Sequence, residues 1–303
     1  MKLAVEFPSV AYREGGAQVR KMARAIEEIG FDQLEVFDHV VMGYPMASRP
    51  TRYPAQMPIL EALMALSHFA AVTDKIGLGT EVLVLPQRQP VLVAKQFQTL
   101  DTLSNGRARL GLGVGWQPSE FEALSEEFDN RGARTDEAIE LIRSYWGDSQ
   151  VDYEGQFYTA NAMAMEPKSE QGGGLPVWIG GSAPRALERV AKYADGWLAP
   201  ALEDGNFVLQ CLDTIRERMA AQGRDPDALG TQMMLTVPPR DESEKDFYAD
   251  IDRVVERAAE VSGWGIECGA LNATAIFQSG ARSVDDMLEV LEMCYTRINA
   301  EVD

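Results

Sequence analysis

At 303 residues the chain is long enough to bury a substantial core, as one large domain or two ordinary ones, and this excludes small stapled scaffolds. Hydrophobic residues at 46% and charged residues at 25% match ordinary globular proteins and argue against disorder or fibrous repeats. With 28 lysines and arginines against 47 aspartates and glutamates the formal charge is −19, so nucleic acid and anionic membranes are repelled, and an anionic ligand must be held by main-chain amides or a few placed cations.

The first predicted strand, 2–7, leads into a helix with Val19, Met22, Ala23, Ile26 and Ile29 on one face, closed by Gly30 in the left-handed C-cap role. A second strand spans 33–38, and after a long connection a helix carries Ile59, Ala62, Leu63, Leu66, Phe69 and Ala70. Strand three spans 75–85, and Pro90 opens a helix bearing Val93, Phe97 and Leu100, since a first-turn proline forfeits no hydrogen bond. Strand four spans 107–115. Thr135, followed by Asp136 and Glu137, predicts an N-cap for a helix with Ala138, Leu141, Ile142 and Tyr145 that stops at Gly147. A small hairpin is predicted over 151–158 and a mobile polar connection over 159–175, around Gly172, Gly173 and Gly174. Strands five to eight fall at 176–180, 196–199, 231–237 and 270–277. The helices between and after them are marked by Leu187 and Val190, by Val208 and Ile215, by Val254 and Val255, and by Met287 and Leu291.

Eight strand-then-helix units without a linker or a change of composition predict α/β architecture, a closed (β/α)8 barrel forming a single domain over 1–303. Catalytic groups of such barrels gather at the C-terminal strand ends and the loops that follow. The longest of these loops are 39–58 and 116–134. Cys211, Cys268 and Cys294 are odd in number and form no metal-ligand spacing, which points to a reducing compartment. No leader or membrane-spanning stretch is evident, and a cytoplasmic protein is expected.

Asp38 and His39 close strand two at the predicted catalytic face. The imidazole can exchange a proton near neutrality with Asp38 as its neighbour, or it is an ordinary strand-end histidine satisfied by the backbone; position alone favours the second. Gly77, Gly79 and Glu81 share one pleat face of strand three, and Gly111, Gly113 and Gly115 one face of strand four, faces that leave room for a planar ligand or merely relieve crowding. The spacing GxGxG, with no helix directly behind it, is not a dinucleotide fingerprint. Gly180, Gly181, Ser182, Ala183 and Pro184 join strand five to its helix and suit a phosphate at a helix start, with Arg185 at hand; a plain capped turn is the alternative. Trp116 and Trp197 are candidates for pocket walls. No metal constellation appears.

The run LGTEVLVLPQRQPVLVAKQFQTLDTLSNGRARLGLGVGWQPSEFEAL, followed in order by RGARTDEAIELIRSYW, GQFY and PVWIGGSAPRALERVAKYADGW, resembles the luciferase-like superfamily, and within it the branch of oxidoreductases that use the deazaflavin coenzyme F420. The resemblance covers roughly residues 1–200. It implies a TIM-type barrel. It also implies that Asp38 and His39 match an Asp-His pair beside the coenzyme ring in the glucose-6-phosphate dehydrogenases of that branch, with the histidine catalytic. Glu81 and Val82 match a bulge with a non-proline cis peptide under the ring, Val114, Gly115 and Trp116 a coenzyme-contacting segment, 180–184 the phosphate turn, and Phe7 a border of the ring. Two departures stand out: Trp116 replaces an acidic residue, and the sugar-phosphate lysines and arginine have no counterpart, which argues against a sugar-phosphate substrate.

The leading expectation is hydride transfer between F420 and a small organic substrate under the loops 39–58 and 116–134, with His39 exchanging the accompanying proton. An FMN-dependent monooxygenase on the same barrel is the alternative, and a non-catalytic ligand-binding barrel the third. Relatives commonly pair, so a homodimer is expected.

Overall fold

A computed structural model describes residues 1–46, 51–171, 174–201, 204–236 and 246–302. The first half of the chain forms β1 (Lys2–Glu6), α1 (Gly16–Ile29), β2 (Gln33–Val36), α2 (Ala62–Ala70), β3 (Gly77–Thr80), β4 (Leu83–Val84), α3 (Pro90–Leu103), β5 (Ala108–Gly113), α4 (Pro118–Ala123) and α5 (Arg131–Gly147). It continues with β6 (Val151–Glu154), β7 (Thr159–Met163), β8 (Val177–Gly180), α6 (Pro184–Tyr193), β9 (Gly196–Ala199), α7 (Gly205–Ala221), β10 (Gly230–Met234), α8 (Ile251–Gly263), β11 (Cys268–Asn272), α9 (Ala273–Gln278) and α10 (Val284–Glu301).

The parallel sheet runs β3-β2-β1-β11-β10-β9-β8-β5-β4, and pairing of β3 with β5 closes it. With β4 continuing the line of β3, this is an eight-stranded barrel with helices between the strands, as the βα rhythm predicts. Alternation along each strand separates two cores. Leu3, Val5, Leu34, Val36, Val177, Ile179 and Met233 face the helices, while Ala4, Met234, Cys268 and Ala270 pack inside the barrel. Helix α1 buries Val19, Met22, Ala23 and Ile26, and Gly30 ends it at φ 115° with its N–H on the Ile26 carbonyl.

Four elements differ from their sequence assignments. The predicted strand 75–85 breaks at a cis Glu81–Val82 peptide, giving β3 and β4. Thr135 does not cap α5, which starts at Arg131; the threonine hydroxyl instead donates to the Arg131 carbonyl inside the helix at 2.8 Å. The hairpin's return strand is β7, inside the stretch assigned as a mobile connection, of which Gly172 and Gly173 lie outside the described residues. Strand 270–277 is half helix, because Asn272 caps α9 by accepting the Ala275 N–H at 2.8 Å. Strand 231–237 is observed as β10, and Val237 lies outside the described residues.

Among the described residues, no helix is long and apolar enough to cross a membrane. A hollow of about 430 Å³ at the N-terminal mouth, lined by residues such as Lys2, Arg109 and Trp178, holds none of the predicted site residues.

Candidate functional site at the C-terminal mouth of the barrel

At the opposite mouth, strand ends enclose a cavity of about 200 Å³ whose walls are Glu6, Phe37, Tyr53, Met57, Glu81, Val82, Gly180, Leu198, Ala199, Ala201, Met234 and Asn272. Its position follows from the barrel, since inward-facing residues at the ends of β1, β8, β9, β10 and β11 reach it together. The lining is mostly apolar and, among the described residues, contains no lysine or arginine.

His39 stands beside this cavity and is only 4% exposed. Its Nδ1 lies 2.8 Å from Glu120 Oε2, while Glu120 Oε1 accepts the Val40 N–H at 2.7 Å and the Val41 N–H at 3.3 Å. Burial pushes the Glu120 carboxyl up, but the His39 bond and charge, with the Val40 N–H, outweigh it and hold it below its ordinary value. Phe37, Tyr53 and Trp116 surround the imidazole, their ring centroids 5.0, 6.1 and 5.5 Å away. Tyr53 is thus both a neighbour of His39 and a cavity wall. Burial raises its hydroxyl to about 12, so it remains a donor at neutral pH.

Asp38 has a different partner from the one expected. It takes Arg88 in a two-pronged bond, both arms 2.8 Å, and accepts the Val84 N–H at 2.9 Å. The pair fastens β4 to the end of β2, so Asp38 shapes the cavity by holding the Glu81–Val82 segment in place. Phe7 also departs from expectation. It keeps the outward parity of Leu3 and Val5, is buried against Phe69 of α2 at 4.5 Å, and Glu6 takes the cavity side instead. Trp197 is fully buried on the helix side and donates to the Gly181 carbonyl at 2.8 Å, so it walls no pocket.

The strand glycines make room chiefly for protein. A Cβ on Gly111 would stand 1.8 Å from the Thr80 carbonyl oxygen, one on Gly113 2.7 Å from Val82, and one on Gly115, at φ 76°, 2.6 Å from Val84. The glycine face of β5 therefore accommodates the β3–β4 break, and only through Val82 does it shape the cavity. Val114 and Trp116 are half-buried beyond β5 and do not line the cavity. Gly180 does line it, opposite Val82. Gly181 turns the chain at φ 111°, and α6 begins at Pro184 with Ala183 as an N-cap that makes no side-chain bond. Ser182 is half-buried, while Ala183 and Pro184 are exposed. Pro184 has no N–H, and the Ala186 and Leu187 N–H groups donate to the Ala183 carbonyl at 2.7 and 3.0 Å, which leaves the Arg185 N–H of this first turn for an anion.

Sequence reasoning missed Glu120, Tyr53 and a polar layer under the cavity. In that layer Glu35 is ion-paired with Arg109, and Gln232 Nε2 donates to Glu35 at 2.5 Å and to Glu81 at 3.0 Å. Asn272 Nδ2 donates to Glu6 at 2.9 Å. Burial, together with the Glu35 charge, pushes the Glu6 carboxyl up to about 8 against the Asn272 bond. Among the described residues, no group of histidine, cysteine, aspartate and glutamate is placed to hold a metal ion.

Residues 3–261 match the sequence profile of the luciferase-like monooxygenases. An uncharacterised protein of Mycobacterium tuberculosis (strain ATCC 25618 / H37Rv) is 33% identical over 187 residues, 58% of this chain and 63% of that one. The F420-dependent glucose-6-phosphate dehydrogenase of Nakamurella multipartita is 29% identical over 245 residues, 76% of this chain and 66% of that enzyme. The chain thus spans a little under two thirds of the length of each. Among solved structures, a monooxygenase from Streptomyces bottropensis shares the fold with a TM-score of 0.81 at 20% identity, covering 99% of both chains.

Proposed function

The chain belongs to the luciferase-like monooxygenase family, and on that footing we propose that it is an F420-dependent oxidoreductase acting on a small organic substrate in the cavity at the C-terminal mouth. The observation that carries this is a cavity walled by Val82, Gly180 and Leu198 from which the turn after Gly180 leads into the start of α6. The walls suit a flat ring, and the Arg185 N–H at the start of α6 suits the phosphate of its tail. In a chain of net charge −19 whose cavity lining has no cation among the described residues, a main-chain donor is the fitting anchor for such an anion. The F420-dependent relative from Nakamurella multipartita supports the choice of deazaflavin over FMN. When bound, the deazaflavin supplies a hydride donor or acceptor at a ring carbon.

The chain's own residues bind, orient and move a proton. Asp38 and Arg88 hold Val82 against the ring face, and Gly180 keeps the opposite wall free of side chain. Glu120 accepts from His39 Nδ1 and so fixes the tautomer, leaving Nε2 as the atom that exchanges a proton. His39 exchanges a proton with substrate through Nε2 at the Tyr53 edge of the cavity. Among the described residues the cavity lining is mostly apolar, which favours an apolar organic substrate over a sugar phosphate.

Titration of the protein with F420 and, separately, FMN, followed by fluorescence quenching, tests the proposal. Saturable F420 binding that weakens in Gly180→Val is expected; tight FMN binding without F420 affinity would overturn it.

A further inference from the structure

The inside of the barrel beneath the cavity holds two carboxyl groups too close together to be ionised at once. Glu35, at the inward position of β2, and Glu81, beside the β3–β4 break, both accept from Gln232 Nε2 and hydrogen-bond each other. A carboxylate has acceptors only, so a hydrogen bond between two carboxyl groups requires that one keeps its proton. The donors decide which. Arg109 is ion-paired with Glu35, and its Nη2 also donates to Gln232 Oε1 at 2.8 Å, so the cation and the shorter Gln232 bond both sit on Glu35. Among the other groups that bear on Glu81, burial and repulsion by Glu6 from β1 favour its neutral form and outweigh the pull of Arg109, and Cys268 from β11 is a thiol that burial holds uncharged.

Glu81 is also the member of the pair that meets the cavity. Glu35 is fully buried, whereas Glu81 retains partial exposure deep inside the barrel, and that exposure is to the cavity it lines. His39, by contrast, lies behind Phe37 and Tyr53 and is absent from the lining.

We propose that Glu81, sharing its proton with Glu35, is an acid that donates to the molecule bound in the cavity, a second proton donor beside His39 and one in direct reach of substrate. The proposal rests on the cavity being the substrate site. In that role a hydride from the reduced deazaflavin would add to one atom of a substrate double bond, the π pair of that bond would pass to the other atom, and that atom would take the proton as the Glu81 O–H bond breaks. The carboxylate left behind, repelled by Glu35, regains a proton from solvent when the product leaves.

Infrared difference spectroscopy between the wild type and Glu81→Gln, at neutral pH and without coenzyme, tests the acid. Glutamine is isosteric, and its amide N–H replaces the acid O–H as donor to Glu35, so the fold is kept. The carbonyl stretch of a protonated carboxyl is expected in the wild type and lost in the variant. Diisopropylcarbodiimide, an apolar reagent that adds to protonated carboxyl groups, is expected to label Glu81, as mapped by peptide mass. Absence of the difference band, or labelling confined to Glu6, would overturn the proposal. Added F420 is expected to protect Glu81; a band and label that persist without protection would sink the coenzyme assignment and leave the acid standing.

Discussion

Glu6 offers a measurement in which the cost of the polar layer shows as pH-dependent stability. Burial comes first among the causes that lift its carboxyl from 4.5 to about 8, and the Glu35 charge adds to it. Between those two values the unfolded chain releases a proton that the folded chain retains, so stability falls as pH rises through this window. Each pH unit is worth about 1.4 kcal/mol, which makes the full penalty roughly 5 kcal/mol and the part incurred by neutral pH about 3 kcal/mol. Glu6→Gln keeps an oxygen for Asn272 and removes the titration. Urea unfolding of both proteins from about pH 5 to about pH 9 should show the variant gaining on the wild type steadily, then levelling off above about pH 8. A stability difference that stays flat across the window would refute the assignment of a neutral buried acid at this position.

Other substitutions address the surrounding frame. Asp38→Asn breaks the two-pronged Arg88 bond and weakens that to the Val84 N–H, and should cost about 3–5 kcal/mol in urea unfolding, a loss below 1 kcal/mol marking the clamp as dispensable. Glu120→Gln gives up the charged partner of His39 and should cost about 2 kcal/mol at neutral pH. Because Glu120 is held below its ordinary 4.5, that cost should persist above pH 4.5 and shrink as acid titrates the wild-type carboxylate, which an acid-unfolding series reads directly. Gly113→Ala places a methyl 2.7 Å from Val82 and should push that wall into the cavity, lowering coenzyme affinity about tenfold for about 1–3 kcal/mol of stability. Unchanged affinity by fluorescence titration would show that Val82 does not touch the ring.

The barrel was legible because its signal is repeated: eight apolar strand runs, each followed by a helical stripe, survive errors at individual boundaries. The boundaries that moved did so for local reasons. Asn272 is the inward end of a strand and the N-cap of a helix at once, and a run of apolar residues after it conceals the change. Of the two readings of the strand glycines, relief of crowding is the one that holds for Gly111 and Gly113, whose space belongs to Thr80 and Val82, and only the broken register of β3 and β4 against β5 reveals those occupants.

The polar layer carried a signal of its own. Glu6, Glu35, Arg109 and Gln232 each occupy the inward parity of a barrel strand, the same parity as Ala4, Gly111 and Met234, and a charge at such a position must find a partner across the barrel. Assigning every strand residue to the inward or the helix-facing side would have isolated these four and moved Phe7 away from the cavity in the same step. Glu120 had no comparable marker, because one more acid in the first turn of a short helix is ordinary, and its partner His39 lies 81 residues away in sequence. Partners that meet only across the mouth of a barrel are set by loop paths. Strand parity reaches the floor of this site, and the rim, where His39, Tyr53 and Glu120 converge, depends on coordinates.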